Sequence, residues 1–193
     1  QVRWRVLLDH WESLPAVRVP KRPVKVYRDA KLADLLAAAR AVADDRLTEG
    51  RVLVMATAGL RRAEAQQLCE GDIDFDAGTI TVQPHDETAA TWAWVPKDRD
   101  CRVVPLVAQT AEVLRRRRQV LPKEQPYLLL AAARYRYLQW LRSQGRMTDR
   151  QRKLPDENHR PFARLREEAA AAGLSQKHLR STFATNCLRD GVD

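Results

Sequence analysis

No apolar run in the 193-residue sequence approaches the length of a membrane span, and no signal-peptide core stands near its start. Neither a membrane partner nor export is expected. The three cysteines, Cys69, Cys101 and Cys187, are scattered without metal-ligand spacing, and their odd number argues against a closed disulfide framework. A reducing cytoplasm suits them, and no metal or cofactor is expected. Internal repeats are missing as well. From Pro15 to Arg28 there is no acidic residue, while Arg18, Lys21, Arg22, Lys25 and Arg28 alternate with Pro15, Pro20 and Pro23. Proline keeps such a stretch extended and like charges keep it solvated. It reads either as a tether or as a contact to a nucleic-acid backbone. No initiator Met precedes Gln1, and the chain stops at Asp193 after a Gly191-Val192 turn. Both ends read as cuts in a longer protein.

What is present is basic. A net charge of +9 and a pI near 9.9 make an acidic polymer the first partner to consider, and 45% hydrophobic residues suffice for a core. Positive charge is dense between Arg134 and Arg166, where only Asp149, Asp156 and Glu157 precede the last arginine as counter-charges.

The patterning is mainly helical. Val2 to Leu14 reads as a short amphipathic helix. Asp29 is placed to cap a helix with Leu32, Leu35, Leu36, Ala39, Val42 and Ala43 at core-facing spacing. Thr48 or Glu49 opens the next helix, which carries Val52 to Met55. Asp72 to Asp76 and Gly78 to Val82 read as strands joined by an Asp-Ala-Gly turn. Thr91 to Val95 and Cys101 to Leu106 read as a second pair around the polar tip from Pro96 to Asp100. Trp92 and Trp94 are expected in the core from a sheet strand, and His85 as a solvated loop residue. Val107 to Val120 forms a helix ending in Arg115 to Arg118, four cations that either face phosphate or sit in a solvated last turn. Residues 142–160 read as a surface loop. A helix with Arg164, Leu165 and Ala169 then stops at Gly173, and Ser175 caps a last helix that buries Leu179, Phe183, Ala184 and Leu188.

The chain is organised around Ala56 to Asp74. Gly59 permits a sharp turn, and Arg61 follows at a helix start with its guanidinium and the first helical N–H groups aimed at one point suited to phosphate. Glu64 lies one turn on, within reach of Arg61. Alone, this reads first as a helix start with a surface Arg and Glu pair.

Two further stretches change the reading. Gly59-Leu60-Arg61 with Glu64, then Lys97 with Arg102-Val103-Val104-Pro105-Leu106, then Leu179-Arg180-Ser181-Thr182-Phe183-Ala184-Thr185 resemble, in order and spacing, the motifs of the tyrosine recombinases, the phage integrase family. The resemblance spans Asp29 to Asp193. It implies an α+β, mainly α-helical catalytic domain with a small three-stranded antiparallel sheet over residues 29–193, preceded over 1–28 by the tail of a core-binding domain and a basic linker. It also implies DNA strand cleavage and rejoining through a 3′-phosphotyrosyl intermediate on double-stranded DNA, self-association on that DNA, and a cytoplasmic, nucleoid-associated place. Carried over, Arg61 and Arg180 hold the scissile phosphate, Lys97 protonates the leaving oxygen and Glu64 supports Arg61. Planar arginine forks match the non-bridging oxygens of a phosphodiester as these gain charge.

There are two departures from the family pattern. Where its second motif begins with His, this chain has Lys177, and His178 stands one residue late, turned by roughly 100° on a helix. Lys177 is favoured in the pocket and His178 is the lesser candidate. The family's nucleophilic tyrosine falls beyond Asp193, and none of Tyr27, Tyr127, Tyr135 and Tyr137 matches it by motif; they read as packing or surface aromatics. The 193-residue chain is therefore expected to bind DNA without cutting it. A non-catalytic DNA-binding protein with the same fold, or a helical protein-interaction domain, are the competing readings.

Overall fold

A computed structural model describes residues 24–44, 46–99, 101–148, 151, 159–171 and 173–191. The helix expected over Val2 to Leu14 and most of the basic stretch from Pro15 lie outside these residues. Seven α-helices and three short strands are seen among the described residues: α1 (Asp29–Ala41), α2 (Leu47–Thr57), α3 (Arg62–Gln67), β1 (Ile73–Asp74), β2 (Thr79–Val82), β3 (Arg102–Pro105), α4 (Ala108–Val120), α5 (Ala132–Ser143), α6 (His159–Glu168) and α7 (Gln176–Arg189).

The domain is built around α2. Every residue from Leu47 to Ala56 is buried, and α1, α4 and α7 pack on it, as a helix without a polar face requires. Its two inward charges are satisfied. Arg51 donates to the carbonyl of Leu129 from Nε at 3.0 Å and Nη2 at 2.8 Å, and Glu49 accepts from Arg40 at 2.7 Å and Arg46 at 2.8 Å. The helix begins at Leu47, earlier than the Thr48 or Glu49 expected, because Asp44 Oδ2 accepts both the N–H and the hydroxyl of Thr48. Asp29 caps nothing: Arg28 is the N-cap, no side chain caps α1, and Asp29 lies in the first turn, where its charge suits the helix dipole. α1 ends at Ala41, leaving Val42 exposed.

The three-stranded antiparallel sheet is present in the order β1-β2-β3, with Ile73 opposite Ile80 and Val82 opposite Arg102. Thr91 to Val95 is not part of it. The backbone of Trp92 donates to the Tyr127 hydroxyl at 2.8 Å, its ring stacks on Tyr127, and Trp94 pairs only with His85. With those backbone groups engaged, β3 pairs directly with β2. Trp92 is fully buried in a second core with Tyr127, Leu130, Tyr135, Leu138 and Leu141, whereas Trp94 is partly buried against the main core.

The four arginines ending α4 neither face phosphate as a group nor simply solvate a turn. Arg117 is buried and donates to the carbonyls of Leu128 and Leu130, each at 3.0 Å. Arg118 reaches Glu70 at 2.6 Å, Arg116 pairs with Glu112, and Arg115 lies over the Phe75 ring. Residues 149–150 and 152–158 of the expected loop lie outside the described residues. α6 ends at Glu168, ahead of Gly173. On α7 the buried face is Gln176, Leu179 and Thr182; Ala184 and Leu188 are exposed, because Thr182 takes the inward position and accepts the Tyr27 N–H at 2.8 Å.

Candidate active site

The local sequence builds one wall of the site. Gly59 has φ +62° and turns the chain out of α2, so that Arg61 becomes the N-cap of α3 and Glu64 its third residue. Glu64 is 3% exposed and accepts from the Arg61 N–H at 2.7 Å and from Arg61 Nη1 at 3.1 Å. The backbone N–H of Arg61 is thus taken by Glu64 rather than offered to a ligand. Sequence reasoning did not foresee a third partner: Arg102 on β3 grips both oxygens of Glu64, Nη1 at 3.1 Å and Nη2 at 2.6 Å. One buried carboxylate therefore ties the turn before α3 to the strand that follows Lys97.

Burial alone raises the pKa of Glu64, but the hydrogen bonds from Arg102 and from the Arg61 backbone, with both guanidinium charges, outweigh it and hold the carboxyl below the usual range. A depressed folded-state pKa contributes stability above the unfolded-state value of about 4.5, which is lost as pH falls through the folded one. Glu64→Gln should therefore destabilise the domain by about 2 kcal/mol near neutral pH. The difference from wild type should narrow below about pH 4.5 in denaturant melts. A gap that stays constant down to pH 3 would contradict this pairing.

Arg180, on the first turns of α7, donates from Nη1 to the carbonyl of Gly59. Lys97 stands in a short 3₁₀ turn ahead of β3, with its carbonyl 3.5 Å from Arg61 Nη1. Arg61, Lys97, Lys177 and Arg180 all line one cleft of about 600 Å³, together with Leu60 and Phe162. Arg62 and Arg166 also line it, and no carboxylate does so among the described residues. Arg166 was not singled out from the sequence, because its place on the wall depends on how α6 docks.

His178 does not line the cleft. Its Nδ1 accepts the Ser175 N–H at 2.8 Å and so closes the start of α7. Burial, with the charges of Lys25 and Lys177, keeps its pKa below the ordinary histidine value. None of the four tyrosines lines the cleft either. Tyr27, Tyr127 and Tyr135 are buried, and burial pushes the Tyr27 hydroxyl up to about 12. Tyr137 stacks on Trp140 at the surface of α5.

The family model described as the phage integrase family matches residues 25–193. The chain belongs to this family, the tyrosine recombinases. Its fold is that of their catalytic domain: it superposes on the XerA recombinase with a TM-score of 0.61 at 21% identity, over 98% of this chain and 60% of that one. It also matches the catalytic domain of bacteriophage HP1 integrase (TM-score 0.55, 17% identity, 89% of this chain and 76% of that one). A third match is the Tn1549 transposon integrase in complex with circular intermediate DNA (TM-score 0.59, 15% identity, 90% of this chain and 57% of that one). The chain thus spans about 60% of the XerA recombinase. Comparison with curated protein sequences finds no match. Within this family-typed fold, His85 departs from its expected solvated state: its side chain is 11% exposed and its Nε2 lies 2.9 Å from Asp72 Oδ2. No described helix is long and apolar enough to cross a membrane.

Proposed function

We propose that this integrase-family chain carries the phosphate-binding part of a site-specific DNA recombinase, which cleaves and rejoins duplex DNA through a 3′-phosphotyrosyl intermediate. The observation that carries this reading is the meeting of Arg61, Lys97, Lys177 and Arg180, from three separate stretches, on a cleft lined by no carboxylate among the described residues. The guanidinium groups of Arg61 and Arg180 take the non-bridging oxygens of the scissile phosphate and stabilise the charge that grows there as phosphorus becomes pentacoordinate. A tyrosine hydroxyl from outside the described residues attacks phosphorus, the bond to the 5′ oxygen breaks, and Lys97 delivers a proton to that leaving oxygen. Lys177 takes the assisting place as a donor to phosphate. Glu64 holds Arg61 in position without touching substrate. Self-association on DNA and residence at the nucleoid belong to the same reading.

Lys177, standing where the family's motif has His, favours one alternative: a DNA-binding relative that keeps the fold without the chemistry. Covalent trapping on a nicked DNA substrate, with a form of the protein that carries the tyrosine, separates the two.

Both readings predict backbone-driven DNA binding by the 193-residue chain. Affinity for a random duplex should fall with salt, with a log–log slope of roughly 0.9 per phosphate contact, and Arg61→Ala should lower that slope by about one contact. Fluorescence anisotropy at several salt concentrations measures it. A salt-independent affinity would leave the protein-interaction reading standing.

A further inference from the structure

Away from the residues that line the cleft, three side chains of metal-ligand type converge, two from one turn and one from beyond β2. Cys69 follows α3, Asp72 ends the 3₁₀ turn Glu70–Asp72, and His85 lies shortly after β2. One donor atom from each lies within 4.8 Å of the others. His85 Nε2 is 2.9 Å and 3.0 Å from the two Asp72 oxygens, and Cys69 Sγ is 3.9 Å from His85 Nδ1. We propose that Cys69, Asp72 and His85 form a zinc site that fixes the start of the β2–β3 connection.

The donor chemistry suits zinc, which takes thiolate, imidazole and carboxylate at about 2.0–2.3 Å and, in tetrahedral geometry, holds its donors roughly 3–4 Å apart. The short spacings to Asp72 and Cys69 fall on opposite nitrogens of His85, and one donor from each residue lies within 4.8 Å of the others, so binding draws the side chains together by up to about an ångström. The thiol has only long contacts at present, to the Gln67 carbonyl at 3.4 Å and to His85. The charges of the bound form balance: a carboxylate from Asp72, a neutral imidazole from His85 and a thiolate from Cys69, whose proton goes to solvent, put two negative donors around a dication. A neutral assembly is what a buried position tolerates, and Cys69 and Asp72 are each 6% exposed.

The fourth position has an independent mark. A cavity of about 10 Å³ adjoins the cluster, lined by Asp72, His85, Gln67 and Gln83 among others. It is about the size of one water molecule. Gln67, 1% exposed, places an Oε1 with no hydrogen-bond partner among the described residues in the same neighbourhood. Zinc-bound water is a strong donor, and it would satisfy that oxygen while completing four-coordination. Because His85 also pairs by backbone with Trp94, from N to O at 2.9 Å and O to N at 3.0 Å, an ion here ties the segment leading to Lys97 onto the turn after α3. The site is separate from the cleft and rests on no part of the DNA reading.

The test uses the 193-residue chain with Cys101→Ser and Cys187→Ser, which leaves Cys69 as the only thiol and all three donors intact. Stripped of metal and titrated with cobalt(II), it should bind one equivalent. A near-ultraviolet thiolate-to-cobalt charge-transfer band and visible bands of tetrahedral cobalt should appear, and added zinc should bleach both. His85→Ala and Asp72→Asn in that background should weaken cobalt binding by about tenfold or more. Zinc should raise the melting temperature of the parent more than that of His85→Ala. Absence of the thiolate band in the folded parent overturns the proposal, whether or not the single variants fold. So does a band that survives undiminished in folded His85→Ala, or an equal zinc-induced shift in both.

Discussion

Arg180→Ala, made in a form of the protein that carries the nucleophilic tyrosine, should slow covalent capture of a nicked DNA substrate by on the order of 100-fold or more. Duplex affinity should fall far less. The difference follows from the position of Arg180. It is held by its hydrogen bond to the Gly59 carbonyl and lines the cleft with Arg61, which on the proposed reading preorganises it for charge that exists only in the transition state. As one phosphate contact among several, it contributes little to overall binding. Arg61→Ala should behave likewise, and Arg61→Lys should restore charge without the planar fork and recover only part of the rate. Lys177→His reports on the assisting position: turnover near neutral pH is raised if Lys177 assists in the cleft, and unchanged if it does not. The 193-residue chain should give no covalent product, since Tyr27, Tyr127 and Tyr135 are buried and Tyr137 lies on α5 away from the cleft. An Arg180→Ala form that captures DNA at the wild-type rate would remove the proposed role of the cleft.

What was legible in the sequence was local or carried by motif. The Gly59 turn with Arg61 and Glu64 one helical turn apart could be read from spacing, because i and i+3 meet on any helix. Lys97 and Arg180 were placed beside Arg61 only through the resemblance of three ordered motifs, since nothing in their own surroundings fixes a distance across the fold. Alternation misled at Thr91 to Val95, where it reflects the burial of Trp92 against Tyr127 and not strand pairing. Charge misled at Arg115 to Arg118: Arg117 turns inward to carbonyls of the segment after α4, and carbonyl oxygens leave no pattern in side-chain sequence. The contacts that escaped notice, Arg102 on Glu64 and His85 on Asp72, join residues 38 and 13 positions apart. Both depend on the pairing of β2 with β3 and on the course of the connection between them. The sequence showed the strands, but not which groups their connection would press together.

Gly59→Ala is expected to be among the most destabilising single changes in the domain, although it removes no contact. At φ +62° an alanine carries a penalty of about 1–2 kcal/mol for its Cβ against its own backbone. The same Cβ would stand 2.4 Å from Phe183 Cδ1 and 2.7 Å from Cε1, closer than packed carbon atoms allow. Relieving that overlap costs about 1–3 kcal/mol more, as the ring or α7 must move. Together these amount to about 2–5 kcal/mol, a drop of roughly 5–15 °C in melting temperature for a domain of this size. A double-mutant cycle with Phe183→Leu separates the two terms. The steric part should largely disappear beside the smaller side chain, leaving the backbone part of about 1–2 kcal/mol. Function should suffer in the same variant, because Phe183 lies one turn beyond Arg180 on α7 and the Gly59 carbonyl is what Arg180 holds. Pushing α7 away from the turn separates Arg180 from Arg61. A Gly59→Ala protein with unchanged melting temperature would show that α7 does not sit against this turn, and the paired arginines would then lose their common support.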